Sequence, residues 1–80
     1  MRVYVFIEKV FYDVNGVLHL QRCSVEVFGK LGDAIAHRCN VRNFYMNGVP
    51  GLTEDFGRYA VILSRPGDRI VLQIEEKDLL

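Results

Sequence analysis

An α+β domain, in which a mixed sheet of four to five strands packs on one helix, is the architecture this sequence predicts, and three stretches carry that expectation. Residues 2 to 12, Arg-Val-Tyr-Val-Phe-Ile-Glu-Lys-Val-Phe-Tyr, are dense in the β-branched and aromatic side chains that suit a pleated surface. Phe28, Leu31, Ile35 and Cys39 follow one another at steps of three and four, the spacing of one face of a helix. Pro66-Gly67-Asp68 then opens a final run, residues 69 to 75, that reads again as a strand.

Taken in order, the first strand spans residues 2 to 12 and ends at Asp13-Val14-Asn15-Gly16, where Asn-Gly tolerates the positive φ angles of a tight hairpin. Val17 to about Cys23 returns as the second strand. Ser24 to Phe28 either prolongs that strand or begins the helix. The helix is expected over residues 30 to 39, its front weakened by Gly29 and Gly32, each by about 1 kcal/mol relative to alanine. Arg42 to Met46 is expected as a third strand, with Asn47-Gly48 as its turn. Residues 52 to 63 read as a short helical turn or a brief strand beneath a loop.

Eighty residues suffice for one domain spanning 1–80, and at this size a single core only marginally offsets chain entropy. Half of the residues are apolar, and ten basic side chains balance ten acidic ones, so the chain has no net field with which to capture nucleic acid or an anionic membrane from a distance. No apolar run approaches the roughly 20 residues of a membrane helix, and Met1-Arg2 leads straight into a strand-like segment. A cytoplasmic protein is the expectation. There are no repeats or low-complexity segments.

Bond-making chemistry finds no footing. Cys23 and Cys39, sixteen apart, lack the close pairing of zinc or redox motifs and read as two small buried hydrophobes. His37 and Arg38 precede Cys39, but on a helix these neighbours point away from it. His19 falls in the second strand and His37 in the helix. Glu54-Asp55 reads as a pair of solvated loop charges, too few for a metal site. Ser24 and Ser64 have no nucleophile context, and no glycine-rich phosphate loop is present. Glu75, Glu76 and Asp78 read as a solubilising tail. No enzymatic activity, cofactor or metal is expected.

Met46-Asn47-Gly48-Val49-Pro50, then Leu63, then Gly67-Asp68-Arg69-Ile70-Val71-Leu72, resembles the ThiS/MoaD sulfur-carrier branch of the β-grasp, or ubiquitin-like, superfamily. The stretch Phe44 to Gly48 is similar to ubiquitin's third strand, and Arg69 to Glu75 to its last. The likeness covers about the last 40 residues, while over the first half only the element order matches. It implies a mixed sheet with the first and last strands as central neighbours. Members that carry sulfur or are conjugated end in Gly-Gly. This chain ends Glu75-Glu76-Lys77-Asp78-Leu79-Leu80, and no two of its glycines are adjacent, so carrier or modifier chemistry is disfavoured.

What the sequence leaves is a surface. Alternation sends Val3, Val5 and Ile7 to one face of the first strand and Tyr4, Phe6 and Glu8 to the other. By likeness to ubiquitin, the sets containing Val3 and Ile70 face the helix, and Tyr4, Phe6, Tyr45 and Val71 lie on the open face. Such a patch marks a contact site. The expected function is therefore a non-enzymatic protein-interaction module that docks another protein, or a second copy, through those four residues. Two alternatives are an RNA-binding domain, with Arg38, Arg42 and Arg58 as a small basic patch, and a phage accessory factor.

Overall fold

The computed structural model describes residues 1–79; Leu80, part of the Leu-Leu end, lies outside them. Two strands, β1 (Arg2–Val14) and β2 (Val17–Phe28), precede one helix, α1 (Leu31–Met46), and three strands follow it: β3 (Leu52–Asp55), β4 (Ala60–Arg65) and β5 (Asp68–Asp78). They form one five-stranded sheet in the order β2-β1-β5-β4-β3. The α+β expectation holds, and the first and last strands are neighbours.

The sheet is antiparallel throughout and not mixed, because β1 and β5 run in opposite directions, with Phe6 opposite Ile74 and Val10 opposite Ile70. Directly opposed residues share a face. That register fixes which side of β1 meets the helix: Phe6, Val10, Ile70, Leu72 and Ile74 join Val61 and Leu63 in one buried cluster beneath Ala34 and Tyr45. Val3, Val5 and Ile7 are on the opposite face. The facing of β1 is therefore the reverse of the expectation drawn from the likeness to ubiquitin; that of β5 is as expected.

The hairpins close as their residues dictate. Val14 pairs with Val17, leaving Asn15 and Gly16 as a two-residue loop at φ 53° and 83°, the left-handed pair that a tight turn of matching twist needs. Asp13 Oδ1 accepts the Gly16 N–H at 2.8 Å. Pro66-Gly67 makes a two-residue loop of another kind between Arg65 and Asp68, with only Gly67 at positive φ, 87°. Ser24 to Phe28 prolong β2, and β5 runs past the expected strand end at Glu75, so that Glu76 and Asp78, expected with Glu75 as a solubilising tail, pair with β1.

The largest departure is at Arg42 to Met46, expected as a strand and found as the last turns of α1. Its inner stripe runs Leu31, Ala34, Arg38, Val41, Tyr45, at steps of three and four. A buried arginine in the middle of that stripe hides it from a hydrophobicity reading, and Ile35 and Cys39, the expected stripe, are exposed. Arg38 is satisfied by donating from Nη1 to the Arg58 carbonyl at 3.0 Å, which ties the helix to the β3–β4 turn. Asn47 and Gly48, expected as a strand turn, end the helix instead, with Gly48 at φ +69° just beyond the cap. Residues 52 to 63 contain β3, the Phe56–Tyr59 turn and the start of β4.

Candidate functional site

One helix covers one face of the sheet, lying over β1 and reaching β2 and β5 on either side. The other face carries no element among the described residues. Cross-strand register assembles it in rows. Val27 and Val5 lead into Glu75. Val25 and Ile7 lead into Gln73. Cys23 and Lys9 lead into Val71 and Ile62. Leu20 and Phe11 lead into Arg69. The apolar side chains concentrate toward β2, where Val25 and Val27 are 61% and 60% exposed beside the partly buried Val5 and Ile7. Monomeric proteins rarely leave such a contiguous apolar quartet uncovered.

The residues singled out from sequence go elsewhere, Val71 excepted. Phe6 is 3% exposed, on the helix side, with its ring edge-to-face against His37 at 4.9 Å. Tyr4 is partly buried against the same core. Tyr45 sits in the last turn of α1 and is buried. Val71 alone lies on the open face, partly buried between Lys9 and Ile62. The signal for the exposed half of that quartet was the alternation Cys23, Val25, Val27, legible only once Ser24 to Phe28 are read as strand.

Tyr45 instead closes a polar cluster under the helix. Its hydroxyl donates to Glu8 Oε2 at 2.6 Å, Arg22 Nη2 donates to the same oxygen at 2.8 Å, and the guanidinium also touches the phenol oxygen. Burial, with the Glu8 carboxylate next, pushes the Tyr45 hydroxyl up to about 12 against the opposing pull of Arg22. A phenol held that firmly in its neutral form is no base at neutral pH. The cluster fastens the end of α1 to β1 and β2.

The remaining candidates disperse. His37 contacts Phe6 and Phe28 and meets Glu26 at 2.9 Å, whereas His19 stacks on Tyr12 near the hairpin tip, so the two histidines share no site. Cys23 and Cys39, expected as buried hydrophobes, are both exposed. Among the described residues no three His, Cys, Asp or Glu side chains gather as metal ligands. The expected basic patch is broken up: Arg38 is buried, and Arg58 pairs with Glu76 at 3.1 Å. No helix is long and apolar enough to cross a membrane. Compared with protein-family models, curated proteins and solved structures, the chain has no match.

Proposed function

We propose that this chain is a non-enzymatic interaction module that docks a partner protein on the open face of its sheet. The observation that carries the reading is the quartet Val5, Ile7, Val25 and Val27, which no element among the described residues covers. Burying such side chains is worth roughly 25 cal/mol per Å² of apolar surface removed from water, and this gain drives most protein association. Lys9, Gln73 and Glu75 beside the quartet supply a polar rim of both charge signs, the pattern of a contact patch with a dry centre.

The β-grasp likeness enters this reading through the adjacency of β1 and β5 and the single helix on one face. It does not extend to a third strand at residues 42 to 46 or to a mixed sheet. The docking residues accordingly move from Tyr4, Phe6 and Tyr45 to the quartet, with Val71 kept at its border.

The test is affinity capture from the source lysate with wild-type protein and Ile7→Lys side by side, each checked by circular dichroism. A protein retained by the wild type and lost with folded Ile7→Lys supports the reading. Equal capture by both rejects it. If Ile7→Lys does not fold, the more exposed Val25→Lys serves in its place.

A further inference from the structure

The two edges of the sheet are unlike. β3 is four residues long and carries Glu54 and Asp55, which blunts it as a template for further strand pairing. β2 is twelve residues long, has no proline and no lysine, and pairs on one side only. Its single irregularity is at Gln21, the extra residue opposite the Val10/Phe11 step, so Arg22 to Phe28 form a regular edge whose two charges, Arg22 and Glu26, are of opposite sign. Nothing else in the described chain satisfies the outward backbone groups of that stretch.

From the charge pattern along this edge we infer that the chain dimerises by antiparallel pairing of β2 with β2 of a second copy, about a two-fold axis at Ser24. An antiparallel pair between identical strands places its two-fold perpendicular to the sheet, so both helices fall on the same side and each residue meets one of the same face. On the helix side β2 presents Arg22, Ser24 and Glu26 in succession, opposite Val10, Glu8 and Phe6 of β1. An axis at Ser24 sets Arg22 against Glu26 of the partner subunit, Glu26 against the partner's Arg22, and Ser24 against the partner's Ser24. One symmetry operation thereby forms two ion pairs, and opposite charges in directly facing positions favour a register. On the open face Cys23 meets the partner's Val25, which carries the apolar surface across the seam.

The partners these side chains already hold do not stand in the way. Arg22 uses Nη2 for Glu8 and Tyr45, leaving Nε and Nη1, and Glu26 uses Oε2 for His37, leaving Oε1. Both side chains are more than half exposed. With each helix over β1, the two axes stand about 14 Å apart, three strand spacings, which clears a helix diameter of about 10–12 Å. This inference concerns the edge of the sheet and does not rest on the docking of a partner on its face.

The experiment is a charge exchange between two variants, Arg22→Glu and Glu26→Arg, with mass in solution read by sedimentation from micromolar to about 1 mM protein, the weak end of specific association. Wild type is expected to go from one to two chains over that range. Each variant alone sets like charges face to face at both positions and is expected to weaken the dimer about tenfold or more. An equimolar mixture restores both ion pairs in the heterodimer and recovers wild-type association. A wild type that stays monomeric, or a mixture of folded variants no better than its components, overturns the inference. Should Arg22→Glu unfold beside Glu8, Ser24→Cys in a Cys23→Ser/Cys39→Ser background decides the matter with both charges intact. Its thiols meet at the axis and cross-link on oxidation, whereas native Cys23 faces its counterpart only diagonally, at about 7–8 Å, too far for a disulfide. Absence of the Ser24→Cys cross-link also overturns it.

Discussion

β2 carries seven apolar residues among its twelve and β5 four among its eleven, yet it is β5 whose apolar residues are mostly buried. Both are long, and both alternate apolar with polar residues. In β5 that alternation buries Ile70, Leu72 and Ile74 to 6% exposure or less, while in β2 every residue before Phe28 is exposed. The difference lies in their neighbours: the helix reaches both, but β5 has a strand on each side, whereas β2 has one. Burial here is assigned by position in the sheet, and the apolar content of a segment does not decide it.

The widest separation between the two strands should come from altering one apolar side chain in each. Leu72→Ala empties a fully enclosed site and is expected to cost about 2–5 kcal/mol, roughly 4–8 °C of melting temperature for each kcal/mol, whereas Val25→Thr should stay within about 0.5 kcal/mol in the monomer. Thermal denaturation of both checks this; comparable losses would mean that β2 is as deeply packed as β5, and the contrast would collapse.

A smaller effect tests a place where the edge strand is fastened to the helix. Tyr45→Phe removes the hydroxyl that bridges Glu8 and Arg22 and is expected to cost about 1 kcal/mol. Because the folded state raises this hydroxyl from 10.0 to about 12, its contribution is fully present below pH 10 and is lost as pH rises through about 12. The stability difference between wild type and Tyr45→Phe should shrink over that window. A difference that is constant with pH would show that the hydroxyl is not held by Glu8.

The smallest effect belongs to the turn that starts β5. Arg65 donates to Asp68 at 2.9 Å and holds that carboxyl below the ordinary carboxylate value. The pair therefore contributes above about pH 4, and its contribution disappears as pH falls through the lowered value of Asp68. Asp68→Asn should lose stability at neutral pH and match wild type in acid, as chemical denaturation at the two pH values would reveal.

The parts of this fold that were legible in the sequence are those governed by local rules. Asn15-Gly16 and Pro66-Gly67 named their hairpins because a positive φ has few tenants, and the β-branched runs of β1 and β5 named their strands. Arg42 to Met46 failed because Phe44, Tyr45 and Met46 look like strand residues one at a time, while the helical stripe that claims Tyr45 passes through Arg38, whose burial depends on a carbonyl twenty residues away. The open face failed for a non-local reason too. Which side of β1 meets the helix is settled by its antiparallel register with β5, and no periodicity within β1 contains that information.

That same register also shapes how the chain can reach its native state. β1 stands between β2, its nearest neighbour in sequence, and β5, the most distant strand, with Arg2 opposite Asp78. The first hairpin can form as soon as it is made, but its second flank stays bare until the rest of the domain has been synthesised. Loop-closure entropy must be met before β1 and β5 reward it, which places folding toward the slow, high-contact-order end for two-state domains, in milliseconds to seconds. Throughout synthesis β1 has an open side that any extended strand could occupy, so the nascent chain depends on β5 arriving before a competitor does.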